Sequence, residues 1–372
     1  MPMIHRGRPI LGINIEVPST LGRARRLLWR LTRRRISLST TPGVTPAAAV
    51  ILALCLVSCA ANPDPRRPSI AESTSEGDSV GDENLARPPF YRIAGGAGAT
   101  LLLMGTIHIG PDEGWTFSRA LRSGLDRADS FVLEVDPNQI SEDAIGSALA
   151  RMVIIDPPRL LQDLVSPETA KILDERDQQL AEMGLPFHAR KRLKPWYIAI
   201  GLVEFSTKSS GWTATASAES VILAATRDRP IHGLETFQQQ LDLLDNLDPS
   251  LQDMMLRDTL TRLDEAVEEV HAHALAWRRG EESHFEALAR EGVEEMPEFE
   301  DFYEVLLGDR NRRWLPEFHR FLNDPVRRDE VIFVGVGTLH FVGEDGLIEL
   351  FRKSGYEVRA IDHSQVGDWA RR

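Results

Sequence analysis

Apolar positions along the chain fall into short continuous runs and helical periodicities, and the two clearest runs form a matched pair. Leu101 to Met104 leads into Gly105-Thr106-Ile107-His108-Ile109-Gly110, and Val331 to Val334 leads into Gly335-Val336-Gly337-Thr338-Leu339-His340-Phe341-Val342-Gly343. A short apolar run bounded by glycine and polar residues reads as a strand buried on both faces. Each strand is thus expected to end on Gly-Thr-x-His. Side chains at the carboxyl ends of strands in an open α/β sheet face a common crevice, so the two histidines should meet there. The glycine three residues before each histidine is expected to turn the backbone sharply and aim the imidazole.

Other patterns fill in the chain between these phrases. Tyr91 to Ile93 predicts a first strand, and Ala94 to Ala99 a glycine-rich turn into Thr100 to Met104. Without a following Lys-Ser/Thr those glycines fit a hairpin better than a phosphate loop. Phe117, Leu121 and Leu125 recur at helical spacing, and Ser130 to Asp136 is the next strand, with Glu134 closing an otherwise apolar run. From Ile140 to about Arg328 the chain reads as mostly helical. That stretch holds helices at 196–205, 220–226 and 237–247, long amphipathic segments at 251–279 and 283–288, and a short strand at 230–236 carrying Glu235. His271 and His273 lie two apart on such a helix and are read as solvent-facing. Arg310 and Asn311 fall on a further helix. The last unit repeats the first: strand, Gly-Thr-x-His, a helix through Leu347, Ile348 and Phe351, and a strand at 355–361. The expected fold is therefore α/β, a central mixed sheet flanked by helices, with a large helical middle and two βαβ-like halves.

Composition changes the picture mainly at the amino end. The net charge is −13 over 372 residues, yet residues 1 to 58 carry nine arginines against the single acid Glu16, which leaves −21 for the rest. A chain that acidic is expected to be repelled by phosphate backbones and by anionic headgroups, so any membrane attachment is expected to come from something other than surface charge. The Arg-rich start is followed by an apolar run from Ala47 to Val57, the length of a signal-peptide core and too short to span a bilayer. Leu56-Val57-Ser58-Cys59 resembles the lipobox of bacterial lipoproteins. That resemblance implies removal of residues 1–58, a lipid of the palmitate kind on Cys59, and a periplasm-facing anchor, with Ala60 after the cysteine favouring the outer membrane. Thr32-Arg33-Arg34-Arg35-Ile36 loosely resembles a twin-arginine export signal, and the export route stays open. Residues 59–89, rich in Pro, Ser, Asp, Glu and Gly, read as a disordered tether, and 90–372 as the folded domain.

The only cysteines are Cys55 and Cys59. After the leader is removed no thiolate is left for a zinc site or a nucleophile, so any metal would be held by His and carboxylates. Neither HExxH nor GxSxG occurs.

Five short motifs carry a family resemblance. Gly-Thr-Ile-His, Leu-Glu-Val-Asp, Gly-Leu-Glu-Thr followed by Gln239 or Gln240, Asp-Arg-Asn, and Gly-Thr-Leu-His-Phe-Val-Gly-Glu-Asp-Gly-Leu stand in the order seen in the TraB/PrgY/GumN family. The similarity runs from Phe90 to Ile361. It implies a core like the erythromycin-esterase and ChaN folds. The animal members, the Tiki proteins, are described as metal-dependent proteases with paired Gly-x-x-His motifs and an essential Glu, favouring manganese or cobalt. Carried over, the metal candidates are His108, Glu134 and His340, with Glu235 next, and Arg310 and Asn311 match the family's Arg-Asn element. One departure is plain: where bacterial relatives usually have Gly-x-Asp, this chain has Ala216-Ser217-Ala218-Glu219, which points to a shifted pocket or altered activity.

The residues themselves support a hydrolase. Imidazoles and carboxylates suit manganese, cobalt or zinc with a site left for water, whose pKa the ion would lower. Glu235 is then the candidate base or a further ligand, and Arg310 the candidate for substrate carboxylate or oxyanion, with Asn311 as a binding residue. The expectation is a metal-dependent hydrolase acting on peptides or small molecules at the bacterial cell envelope. Two alternatives stand beside it: an envelope lipoprotein that binds a peptide signal or glycan without turnover, and a purely structural role for the buried polar residues. Oligomeric state is not legible.

Overall fold

The computed structural model describes residues 84–140 and 142–365, so the expected leader, Cys59 and the tether as far as residue 83 lie outside the described residues. The strands are β1 (Phe90–Ala94), β2 (Thr100–Thr106), β3 (Gly110–Pro111), β4 (Ser130–Val135), β5 (Trp212–Thr213), β6 (Ile231–Glu235), β7 (Val331–Gly337) and β8 (Glu357–Ala360). Six of them form one mixed sheet in the order β6-β4-β7-β2-β1-β8, and β3 and β5 form a two-stranded ribbon. Strands β2, β7, β4 and β6 are parallel, while β1 is antiparallel to both β2 and β8. The glycine-rich turn before β2 does make a hairpin. Gly96 and Gly98 are needed there because a Cβ at either would strike the carbonyls of Leu322 or Phe321 at a helix end.

The helices that matter for the site are α1 (Arg119–Arg127), α2 (Glu142–Met152), α3 (Pro195–Ser209), α4 (Ala218–Thr226), α5 (Phe237–Asp245), α6 (Pro249–Thr261), α7 (Ala266–Arg279), α8 (Asp309–Asn323) and α9 (Leu347–Lys353). They cover both faces of the sheet, which is why its central strands are apolar without alternation. On one face Leu102, Met104, Phe131, Leu133 and Phe333 pack with Ile198, Ile222, Leu256 and Trp277. On the other, Leu101, Leu103, Val132, Ile332 and Val334 pack with Trp314, Phe318 and Phe321 of α8 and Leu347 and Phe351 of α9.

Several expectations are refined. Neither half is a simple βαβ unit of neighbouring strands, because β7 is inserted between β2 and β4, and β8 lies beyond β1. The amphipathic stretch 251–279 breaks between α6 and α7, where Arg176 donates to the Thr261 carbonyl (3.3 Å) and to Asp264 (3.1 Å). Residues 84–89, grouped by composition with the tether, are tied in by backbone bonds: Ala86 N–H to Thr116 O (2.8 Å) and Arg87 N–H to Arg278 O (2.7 Å). His271 is exposed, but His273 is only 6% exposed and not solvent-facing. Its Nδ1 lies 2.7 Å from His284 Nε2, and burial first, then the His284 and Arg262 charges, lower its pKa to about 3. No helix among the described residues is long and apolar enough to cross a membrane.

Candidate active site

Sheet register brings the two phrases together. Thr106 of β2 pairs with Gly337 of β7, and the Thr338 hydroxyl donates to the Thr106 carbonyl (2.9 Å). Contrary to the expectation from the sequence, Gly105 does not turn the chain. It lies within β2, and the reason for a glycine is proximity, since a Cβ there would approach Thr338 Oγ1 to 2.7 Å. On the next two strands Val135 pairs with Glu235, which sets Glu134 and Glu235 at the same carboxyl edge. Four adjacent strands therefore deliver His108, His340, Glu134 and Glu235 to one place.

Behind that edge lies a closed network centred on Arg310, which is 1% exposed. The π-helical turn Glu304–Gly308 precedes it and presents the Leu306 carbonyl, which accepts from Arg310 Nη1 (3.0 Å). Nη1 also donates to His340 Nε2 (3.1 Å), Nη2 to Glu134 (2.6 Å) and to Glu235, and Nε to Glu235 (3.1 Å). These contacts use all five guanidinium N–H groups. Burial opposes the charge of Arg310, but the Glu134 and Glu235 carboxylates outweigh it and raise its pKa. Gln240 Nε2 bridges Glu134 (3.2 Å) and Glu235 (3.0 Å), and Gly337 N–H donates to Glu134 Oε1 (2.8 Å). Of the two glutamines after Gly-Leu-Glu-Thr, Gln240 thus serves the site, while Gln239 closes a capping box with Thr236.

His340 is fully buried within this network. Arginine has no acceptor, so Nε2 must be the unprotonated nitrogen, and Nδ1–H donates to Asn311 Oδ1 (2.7 Å). Asn311 in turn donates to the carbonyls of His340 (3.2 Å) and Asp345 (2.8 Å). The Trp314 ring lies under the Arg310 guanidinium (4.7 Å) and tilted against the His340 ring (4.5 Å). Burial, then the Arg310 guanidinium and the His108 ring when it is protonated, hold the His340 pKa well below its ordinary value.

His108 sits differently. Its Nδ1 lies 2.9 Å from Glu219 Oε1, and the backbone bond from Ala218 N–H to Ile107 O (3.0 Å) brings the two residues together. Ser217 caps α4, so Glu219 lies in the first turn, where the helix dipole favours a carboxylate. Burial raises the Glu219 pKa, but the neighbouring His108 first and then the Thr106 side chain carry it below the usual carboxylate value. His108, Glu134 and Glu219 all line a small cavity of about 30 Å³, walled also by Leu133, Val135, Pro137, Ser217 and Leu223. That volume suits one or two waters.

The expected site residues thus converge, but not as one set. His108 and Glu134 reach the cavity; His340, Glu235, Arg310 and Asn311 form the network behind it. Arg310 has no donor left for a substrate carboxylate, and Glu235 is held by Arg310 and Gln240. Glu219, which the sequence reading treated only as a departure, is the residue that meets His108 at the cavity. As a metal triplet His108, Glu134 and His340 do not fit, because both ring nitrogens of His340 are engaged by protein groups. Among the described residues no group of three or more His, Cys, Asp or Glu is placed to hold a metal ion.

Comparison with known proteins places this edge in context. Residues 89–360 match the TraB/PrgY/gumN family. A protein of Treponema pallidum (strain Nichols), named only "Uncharacterized protein", is 23% identical over 338 residues, covering 88% of this chain and 96% of its own length. No solved structure matches.

Proposed function

The chain belongs to the TraB/PrgY/gumN family, and we propose that it is a hydrolase that cleaves peptides at the bacterial cell envelope, with His108 as the base that activates water. The observation that carries this reading is the 2.9 Å contact between His108 and Glu219 on a water-sized cavity shared with Glu134. A carboxylate this close to one imidazole nitrogen favours a proton there, and the other nitrogen is assigned the role of base. In this reading His108 Nε2 takes a proton from water as the water oxygen bonds to the substrate carbonyl carbon. The imidazolium that forms is stabilised by Glu219. It then returns the proton to the leaving amine as the C–N bond breaks, giving a carboxylic acid and an amine. Glu134, fixed by Arg310, Gln240 and Gly337, lines the same cavity and orients the water. Arg310 and His340 keep Glu134 in position. No step is assigned to a metal, since the implied ligand triplet does not fit. The envelope location rests on the export leader and Cys59 read from the sequence.

The test is a peptide library incubated with the protein and with His108→Gln, each after chelation and again with manganese, cobalt or zinc added, and read by mass spectrometry. Cleavage by the parent that survives chelation and falls about a hundredfold or more in His108→Gln is expected. Peptide binding without cleavage would favour the regulatory alternative. Cleavage that depends on added metal would replace the metal-free step with a metal-assisted one.

A further inference from the structure

The acidic balance of the chain conceals one surface of opposite character. Segments 151–159 and 187–192 lie side by side, joined by Ile155 N–H to Arg192 O (2.8 Å) and by an isolated bridge between Ile154 and Leu193, with further bonds at their flanks. Together they carry Arg151, Arg159, Lys191 and Arg192 at the surface and Arg190 buried beneath it, against the single acid Asp156. Asp177 neutralises Arg190 (2.5 Å), whereas no ion pair among the described residues engages Arg151, Arg159 or Lys191. The same surface displays two of the four large apolar side chains exposed among the described residues, Phe187 at 54% and Ile154 at 40%. Pro157 and Pro158 beside them are exposed as well. The Phe187 ring lies within 5.9 Å of Lys191 Nζ and 5.5 Å of the buried Arg190 guanidinium.

An exposed ring and a branched aliphatic side chain amid basic residues match the interface of a bilayer, where apolar tips enter the headgroup boundary and cations meet phosphate. We propose that this surface docks the domain onto an anionic lipid bilayer. Charge complementarity favours the anionic leaflet. The exposed apolar tips favour lipid over an acidic polypeptide, because charge pairing alone has no use for them. The proposal is independent of the hydrolase reading and of Cys59.

Hydrogen–deuterium exchange on the full chain tests it, because the readout is local whatever the leader does. The probes are vesicles of phosphatidylcholine with about one third phosphatidylglycerol, vesicles of phosphatidylcholine alone, and soluble polyglutamate. Amides in 153–161 and 187–194 should exchange more slowly, by about threefold or more, with the anionic vesicles only. The double variant Arg159→Glu with Lys191→Glu should lose that protection while keeping its thermal unfolding temperature. Phe187→Ser should weaken it, and Phe205→Ser, at an exposed ring elsewhere, should leave it intact. Absence of protection, equal protection by neutral vesicles, or protection by polyglutamate without a vesicle response would each overturn the proposal, the last in favour of an acidic protein partner.

Discussion

The first Gly-Thr-x-His phrase and the second end neighbouring parallel strands in register, yet their histidines are put to different uses. His340 has each ring nitrogen engaged by the protein, one by Arg310 and one by Asn311, and is fully buried. His108 meets a carboxylate on one nitrogen and lines a cavity. Equivalent backbone positions are thus not equivalent chemistry. What separates them is the element packed against each: α8 brings Arg310 and Asn311 to His340, and α4 brings Glu219 to His108.

If the Arg310 side is a closed structural network, its disruption should dominate stability. Arg310→Met leaves Glu134 and Glu235 buried without their cation, and a loss of roughly 3–5 kcal/mol is expected in urea denaturation. A loss near zero would show that the network is not closed. His340→Ala should cost less, about 2–3 kcal/mol, from a cavity and an unpartnered Arg310 N–H. Glu219→Gln tests the other side, since glutamine preserves shape but cannot stabilise an imidazolium. It should change unfolding free energy by about 1 kcal/mol or less and lower turnover of any cleaved peptide by on the order of a hundredfold to ten-thousandfold.

The smallest effect is the pH dependence. Folded His340 and His273 stay neutral while the unfolded chain protonates near the ordinary histidine pKa. The unfolded state therefore binds more protons below about pH 6.5, and stability falls as the pH drops through that value. Between pH 6.5 and 5.5 each such histidine should cost about 1 kcal/mol. Denaturation of the parent and of His340→Asn at both values checks this, the variant being the less pH-sensitive.

Much of this arrangement was legible. Apolar runs without alternation announced strands covered on both faces, and the repeated phrase announced two histidines at one edge. Glu134 stood out because a carboxylate closing an apolar run needs a partner, and the Asp-Arg-Asn element supplied it. What stayed hidden depends on contacts between distant segments. Glu219 follows Ser217 at a helix start, where a carboxylate also serves the helix dipole, so nothing local marks it as the partner of His108. The engagement of His340 was equally invisible, because Asn311 and Arg310 lie about one helix away in sequence and only packing of α8 brings them over. His273 shows the converse: it shares the buried stripe of its helix with Ala266, Val270, Ala274 and Trp277, so the apolar spacing of its own neighbours already marked it as inward.

The division between the two histidines can be read directly by ¹⁵N NMR of histidine-labelled protein, with His108→Gln and His340→Gln assigning the two rings. The account predicts that His340 holds its proton on Nδ1, keeps a bare hydrogen-bonded Nε2 from pH 8 to 5.5, and does not respond to added zinc. A His340 ring that carries its proton on Nε2, becomes doubly protonated in that range, or shifts with zinc would contradict it, and the two phrases would then share one chemistry.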